Sequence, residues 1–238
     1  MNELLQLAVD AHGGLDRWNA LTTAQMDMSI TGAIWAVKGK PDVFREVSLE
    51  AQMHREYLVV SPVSGVGRRS VLDGKQQVLE TDAGEVLERR EDPEAPFLAA
   101  LDSPWDDMQA AYFASEALWT YLTTPFLYTY PGFEVVEVEP WHEDGEVWRS
   151  LEVTFPDYIA SHTRTQTSHF GPDGLLRRHT YTVDILGGAS GANYAYDYAD
   201  AAGILVPMRR RIYACDDTLQ KVPEPLLVGI DFHTVSFT

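Results

Sequence analysis

Residues 161–183 read SHTRTQTSHFGPDGLLRRHTYTV. Two alternating runs flank GPDG, a turn of the kind that joins antiparallel strands. With 171–174 as the loop, Phe170 faces Leu175, Ser168 faces Arg177, Gln166 faces His179, Arg164 faces Tyr181 and His162 faces Val183. The opposite face carries Thr163, Thr165, Thr167 and His169 against Leu176, Arg178, Thr180 and Thr182. A threonine-lined face suits water, whereas Phe170, Leu175, Tyr181 and Val183 suit an interior. The reading depends on register, because a slip of one residue exchanges the faces. In this register Arg164, Gln166, His179 and Tyr181 form a polar cluster inside an apolar concavity. Such groups are costly to bury without partners. They therefore bond one another, with Asp184 or Asp197 as possible acidic partners, or they bond water or a ligand.

The same period-two pattern extends outward from this hairpin. Strands are expected over 133–140, 146–155, 161–170, 175–185, 192–199, 204–213 and 226–237, with HEDG, GPDG and DAAG as short turns. LGGASGAN reads as a longer loop. Upstream, Ala24, Met26, Met28 and Ile30 alternate with Gln25, Asp27, Ser29 and Thr31. Val47, Leu49, Ala51 and Met53 alternate with Ser48, Glu50, Gln52 and His54. Gly32 permits a bend before Trp35. Turn signals at SPVSGVG and Asp73-Gly74 precede shorter strands over 68–72, 75–81 and 85–90.

Two helices complete the pattern. Leu4, Leu7, Ala8, Ala11, Leu15 and Trp18 recur at helical spacing, with Asn2 as N-cap and Gly13-Gly14 as a bend. In SPWDDMQAAYFASEALWTYLTTP, Ser103 reads as N-cap, Pro104 as the first helical residue, and Asp106 completes a capping box. Trp105, Met108, Tyr112, Trp119 and Leu122 make an aromatic stripe, and Pro125 ends the helix. A mainly β, α+β chain with about 10–11 antiparallel strands in sequence order curls or closes rather than staying flat. The expected architecture is one strongly curved sheet or incomplete barrel. The N-terminal helix and the aromatic helix pack on its concave side, in a single domain over 1–238.

Composition narrows the function classes. The chain has 238 residues, 45% of them hydrophobic and 11% aromatic, enough for a sizeable core. Its 36 acidic and 18 basic residues give a net charge of −18, which opposes nucleic acid and anionic membrane surfaces. Cys215 is the single cysteine, so neither an intramolecular disulfide nor a cysteine-based zinc site is expected. The N-terminus has no basic region followed by an apolar one, and no apolar run suits a membrane span. The expected location is cytoplasmic, without membrane insertion.

AHGGLDRW, SITGAIWAVKGKP, SPWDDMQAAYF with WTYLTTPF, and GLLRRHTYTVDILGG together resemble a family of uncharacterised bacterial proteins of about this length. The likeness spans nearly the whole chain and brings no described catalytic motif. The layout is also similar to the LolA/LolB lipoprotein-carrier superfamily. That resemblance implies an incomplete antiparallel barrel whose helices plug an apolar cavity for acyl chains. This chain departs from the pattern in its N-terminus and in the polar groups it sets within the cavity.

No G-x-S-x-G, Walker A or dinucleotide fingerprint is present. A metal site on His162, His169 and His179 is not expected. His169 lies on the other face, and His162 is about 13 Å along the strand from Gln166, the partner of His179. Cys215 reads as a structural or surface thiol. Glu134, Glu137, Glu139, Glu143, Asp144 and Glu146 read as a solvated hairpin face rather than a cation site. Tyr194, Tyr196 and Tyr198 share a strand face and either line the cavity or pack as ordinary strand residues. Among Arg209, Arg210 and Arg211, one points inward and is expected in internal ion pairs.

Two functional readings follow. In the first, the half-barrel binds a small apolar or amphipathic molecule with one polar end and needs no cofactor. Trp105, Tyr112, Trp119 and Tyr196 contact the ligand, and Arg164, Gln166, His179 and Tyr181 orient its polar end. In the second, the same pocket serves a cofactor-independent cyclase, isomerase or lyase. His179 is the general acid/base, Tyr181 assists, and Arg164 stabilises developing negative charge.

Overall fold

A computed structural model describes residues 2–238, apart from the side chain of Ala99. The N-terminal pattern forms two helices, α1 (Glu3–Ala11) and α2 (Leu15–Asn19), rather than one bent helix. Asn2 caps α1 by accepting a 2.7 Å bond from the Leu5 amide. Gly13 and Gly14, both at positive φ, make the break.

Strand β1 (Thr23–Thr31) leads into a short helix, α3 (Ala33–Val37). A Cβ on Gly32 would lie 2.2 Å from the Leu227 carbonyl oxygen, so only glycine lets this turn lie against the later chain. A meander follows: β2 (Val47–Gln52), β3 (Tyr57–Ser61), β4 (Arg68–Asp73), β5 (Gln76–Thr81) and β6 (Val86–Arg90). Helices α4 (Ala95–Ala99) and α5 (Asp107–Thr123) come next. A second meander comprises β7 (Glu134–Glu143), β8 (Glu146–Thr154), β9 (Thr165–Phe170), β10 (Leu176–Val183), β11 (Ala189–Ala201) and β12 (Ile204–Cys215). The short β13 (Lys221–Val222) and then β14 (Val228–Phe237) complete the order.

All of these strands belong to one open antiparallel sheet of 14 strands, in the order β6-β5-β4-β3-β2-β1-β14-β12-β11-β10-β9-β8-β7, with β13 beside β12. The count exceeds the expected one. β3 lacks alternation, since Leu58, Val59 and Val60 are all buried, and β13 is only two residues long.

The sheet wraps α5. Contacts to β3, β4 and β5 cover one side, and Tyr121 reaches Tyr181 of β10 and Arg210 of β12 on the other. The expected one-sided aromatic stripe is therefore a helix buried nearly all round, with only Asp107 and Leu122 part-exposed. Its N-cap is Asp106, three residues later than expected. The Asp106 side chain accepts from the Gln109 amide at 2.7 Å, and the Gln109 side chain accepts from the Asp106 amide at 3.0 Å. One core cluster runs from Leu4 to Phe237 and includes α1, α5 and most strands. Among the described residues, no helix is long and apolar enough to cross a membrane.

The 161–183 hairpin shows how a bulge rescues sidedness. Phe170 pairs with Leu176, a bulge follows, and then His169 pairs with Arg178, Ser168 with His179 and Thr167 with Thr180. The shift from the expected pairing is two residues, so Gln166, Ser168, His179, Tyr181 and Val183 stay on the inner face. Leu176 turns inward in place of Leu175, and Arg177 turns out to meet Asp173 and Glu146. The strand begins at Thr165 rather than at 161.

The outer face is not all water-facing. His169 is buried against Trp141, and Arg178 against Trp141 and Tyr194. The Arg178 guanidinium lies 4.3 Å from the Trp141 ring centre and pairs with Glu143 at 3.2 Å. Glu143 also pairs with Lys221 and accepts from Tyr194 and Trp141, so it is not part of a solvated face.

A cavity with one polar side

Between α3, α5 and strands β1, β10, β11, β12 and β14 lies a cavity of about 70 Å³. That is room for about two water molecules at the roughly 30 Å³ each takes in the liquid. Its walls are Ile30, Trp35, Phe113, Ala114, Ala117, Leu118, Val183, Ile212, Val228 and Ile230, with Ile34, Leu186 and Leu227 part-exposed at the mouth. The residues with polar side chains in its lining are Tyr121, Tyr181, His162 and Ser190. The Tyr121 and Tyr181 hydroxyls are 2.5 Å apart. Burial pushes Tyr121 up to about 12 and Tyr181 well above its usual range, so both stay neutral.

His162 forms part of the wall. Its Nδ1 lies 2.7 Å from Oε1 of Glu116 on α5, and its ring sits 4.9 Å from that of Tyr181 and 5.1 Å from that of Phe113. Glu116 is fully enclosed. Burial raises its pKa, opposed by His162. Nearby Glu56 is raised further, chiefly by burial, although it accepts from the Ala160 amide at 2.8 Å.

Behind the two tyrosines lies a second polar layer. His179 and Asn193 are cross-strand partners, Asn193 also pairs with Ile212, and Arg210 pairs with Ala195 and Ile230. All three polar side chains are buried. Burial, then the Arg210 charge, drives the His179 pKa well below the usual imidazole range.

The expected site residues therefore divide. Tyr181 lines the cavity and His179 stands one layer behind it. Gln166 is buried but donates to the Thr163 carbonyl at 2.8 Å, away from the cavity. Arg164 corrects the sequence reading: it precedes β9, its side chain is 62% exposed, and it pairs with Asp157. Trp105 packs against Trp35, Phe97 and Phe113, and Tyr112 donates to Glu94, both behind the cavity wall. Trp119 faces the opposite side of α5 and donates to the Gln52 carbonyl at 2.9 Å. Tyr196 lies on the outer face, stacked on Tyr194. Tyr198 does not share that face: after Asp197, at φ 57°, it joins the main core and bonds the Leu176 carbonyl. Sequence reasoning missed Tyr121 and the His162–Glu116 pair. Among the described residues, no three His, Cys, Asp or Glu come together as metal ligands.

No family model and no curated protein matches the chain. Solved structures do. A LolA superfamily protein from Nitrosomonas europaea aligns over 97% of this chain and 90% of its own, with a TM-score of 0.57 at 11% identity. A DUF1329 family protein from Desulfovibrio piger aligns over 98% and 91%, with a TM-score of 0.54 at 14% identity. The fold is LolA-like. A Vibrio parahaemolyticus domain named for outer membrane lipoprotein sorting gives 0.56 at 11% identity, over 99% and 91%. The LolA-like fold accounts for the open sheet around a central helix. At these identities it says nothing about which side chains act, and fold alone does not fix function.

Proposed function

We propose that this half-barrel binds a small, largely apolar molecule with one polar end. The observation that carries this reading is the cavity, whose aliphatic and aromatic walls end in Tyr121, Tyr181 and His162. Apolar walls with a few converging polar groups are the usual make-up of a small-molecule site. The name of the Vibrio relative, which refers to lipoprotein sorting, points the same way. At about 70 Å³ the site takes only a very short chain, well under the roughly 150 Å³ of a cavity that holds one benzene ring, and a longer ligand requires α3 or α5 to shift. Tyr181 orients the polar end, Tyr121 and His162 join it, and Arg164 and Tyr196 drop out of the ligand set. The sequence reading of a cytoplasmic protein has no support among the structural relatives, and cell fractionation decides it.

Native mass spectrometry of the purified chain tests the proposal. The expected result is a bound apolar or amphipathic molecule that Ala117→Leu excludes. Ala117 lines the cavity, so the added carbons fill it. Unchanged occupancy in a folded Ala117→Leu variant would show that the ligand binds elsewhere.

A second reading is favoured by the His162–Glu116 pair. A carboxylate that fixes an imidazole at a cavity wall is the arrangement of a general base and its orienting group. On this reading the protein is a cofactor-independent enzyme in which His162, rather than His179, moves the proton. His162→Gln would then lower turnover of the bound molecule by roughly 10²–10⁴ while binding persists. Equal turnover by the variant would remove His162 from any catalytic role.

A further inference from the structure

We propose that the ligand carries a carboxylate and that Arg210 receives it, flanked by His179 and Asn193. This rests on the binding reading above. Arg210 is only 2% exposed. Its Nη2 donates to the Tyr121 carbonyl at 3.0 Å, and its guanidinium lies 4.9 Å from the Tyr121 ring centre. Nη1 has no partner, and no side-chain carboxylate pairs with this arginine among the described residues. The chain has twice as many acidic as basic residues, 36 against 18, so counter-charges are abundant. None is placed here. The neighbouring arginines show the contrast: Arg209 pairs with Asp197 and Arg211 with Asp231.

The orphaned guanidinium has company. His179 Nε2 is also buried without a partner, and the buried Asn193 amide beside it has only the Tyr121 hydroxyl within reach. Each of the three residues adjoins the cavity wall within the sheet. His179 is two residues from Tyr181, Asn193 is two from Gly191, and Arg210 pairs with Ile230 and is two from Ile212. Hydrogen-bonding capacity thus collects in the layer behind the Tyr121 and Tyr181 wall of an apolar chamber, with a single fixed positive charge among it.

Water would satisfy the donors but leave the charge unbalanced. An ammonium head group would be repelled, and an alcohol would balance nothing. A carboxylate matches the planar guanidinium fork and accepts from neighbouring donors. The carboxylate reaches this layer by parting the Tyr121–Tyr181 hydroxyl pair that separates it from the cavity, and its apolar tail then fills the cavity and points to the mouth at Ile34, Leu186 and Leu227. The resting cavity is smaller than a six-carbon tail, so admitting one requires α3 or α5 to shift.

The test is a ligand-observed NMR titration of the full chain with hexanoate, 1-hexanol, hexylammonium and acetate. The expected result is that hexanoate binds at least about tenfold more tightly than hexanol, a gain of about 1.4 kcal/mol. Hexylammonium binds least among the six-carbon probes, and acetate binds far more weakly than hexanoate. In Arg210→Met the hexanoate advantage disappears while hexanol affinity stays within about twofold. Equal affinity of the wild type for hexanoate and hexanol would overturn the carboxylate assignment and leave the cavity reading standing. Acetate binding as tightly as hexanoate would reduce the site to a free-anion pocket and overturn the amphiphile. Failure of every six-carbon probe would overturn the cavity reading and this inference together. If Arg210→Met does not fold, the wild-type ratios still decide.

Discussion

His169 sits between Ser150 and Thr180, bonded at 2.8 and 3.0 Å, on the outer side of the sheet beneath Trp141. Burial, then the Arg178 charge, lowers its pKa to about 3 from 6.5. Above pH 6.5 neither the folded nor the unfolded chain protonates it, so it adds no pH dependence. Between 6.5 and about 3 the unfolded chain takes up a proton that the folded one refuses, so stability falls with pH. The slope approaches about 1.4 kcal/mol per pH unit and ends below the folded pKa. His12, lowered to about 4 by burial, acts in the same sense. Glu56 and Glu116, both raised by burial, act in the opposite sense and gain stability as they protonate. The difference between wild type and His169→Gln isolates one residue: urea unfolding should show a shallower loss for the variant between neutral pH and about pH 5. Parallel curves would mean that His169 titrates normally in the folded protein. At this scale the sequence was legible where alternation persists. Tyr181 and His179 face inward because the ladder holds them. Arg164 was misplaced because its carbonyl still accepts from the Phe155 amide while its side chain turns out to Asp157, and alternation in the sequence does not report that turn. The His162–Glu116 pair was invisible because its partners lie 46 positions apart on different elements.

Helix α5 tests the packing at the scale of an element. Trp119 is 0% exposed and faces β2 rather than the cavity. Trp119→Ala should therefore cost about 3–5 kcal/mol in urea unfolding, with the cavity's ligand affinity largely retained in the folded fraction. A loss of a few tenths would place the helix at the periphery. The helix itself was plain from SPWDDMQAAYF, but its start was not. Ser103 and Asp106 both present a capping side chain, and only tertiary contact selects between them. The Trp105 amide donates to the Lys38 carbonyl at 2.8 Å, which holds residue 105 outside the helix. The bulge before Arg178 was equally silent in sequence. It moved Arg177 and Leu176 across the sheet while sparing His179.

Across the whole molecule, one sheet means two free edges, β6 and β7. β7 presents Val136, which is 57% exposed, among Glu134, Glu137 and Glu139. Charges along an edge discourage pairing with another chain. Glu134→Val with Glu139→Val leaves Glu137, paired with Arg149, as the one acidic group of the three and should produce concentration-dependent association in sedimentation velocity relative to wild type, with circular dichroism unchanged. An unaltered sedimentation profile would show that the edge is protected by something other than charge. The curved single sheet was legible from strand number and turn spacing. The order of its strands was not, because alternation reports which face is buried and never which neighbour a strand chooses.

That order has a consequence for how the chain assembles. Strand β14, last in sequence, lies mid-sheet between β1 and β12, and Ala24 pairs with Phe237. Each meander can zip from its own hairpins, but the seam between them waits for β14. On a ribosome β14 emerges after every other strand of the sheet, so the two half-sheets remain unjoined until it does. Such distant pairing slows folding. A chain cut before 228 should keep hairpin-like strand signal, lose cooperative unfolding and bind partners that recognise unfinished proteins.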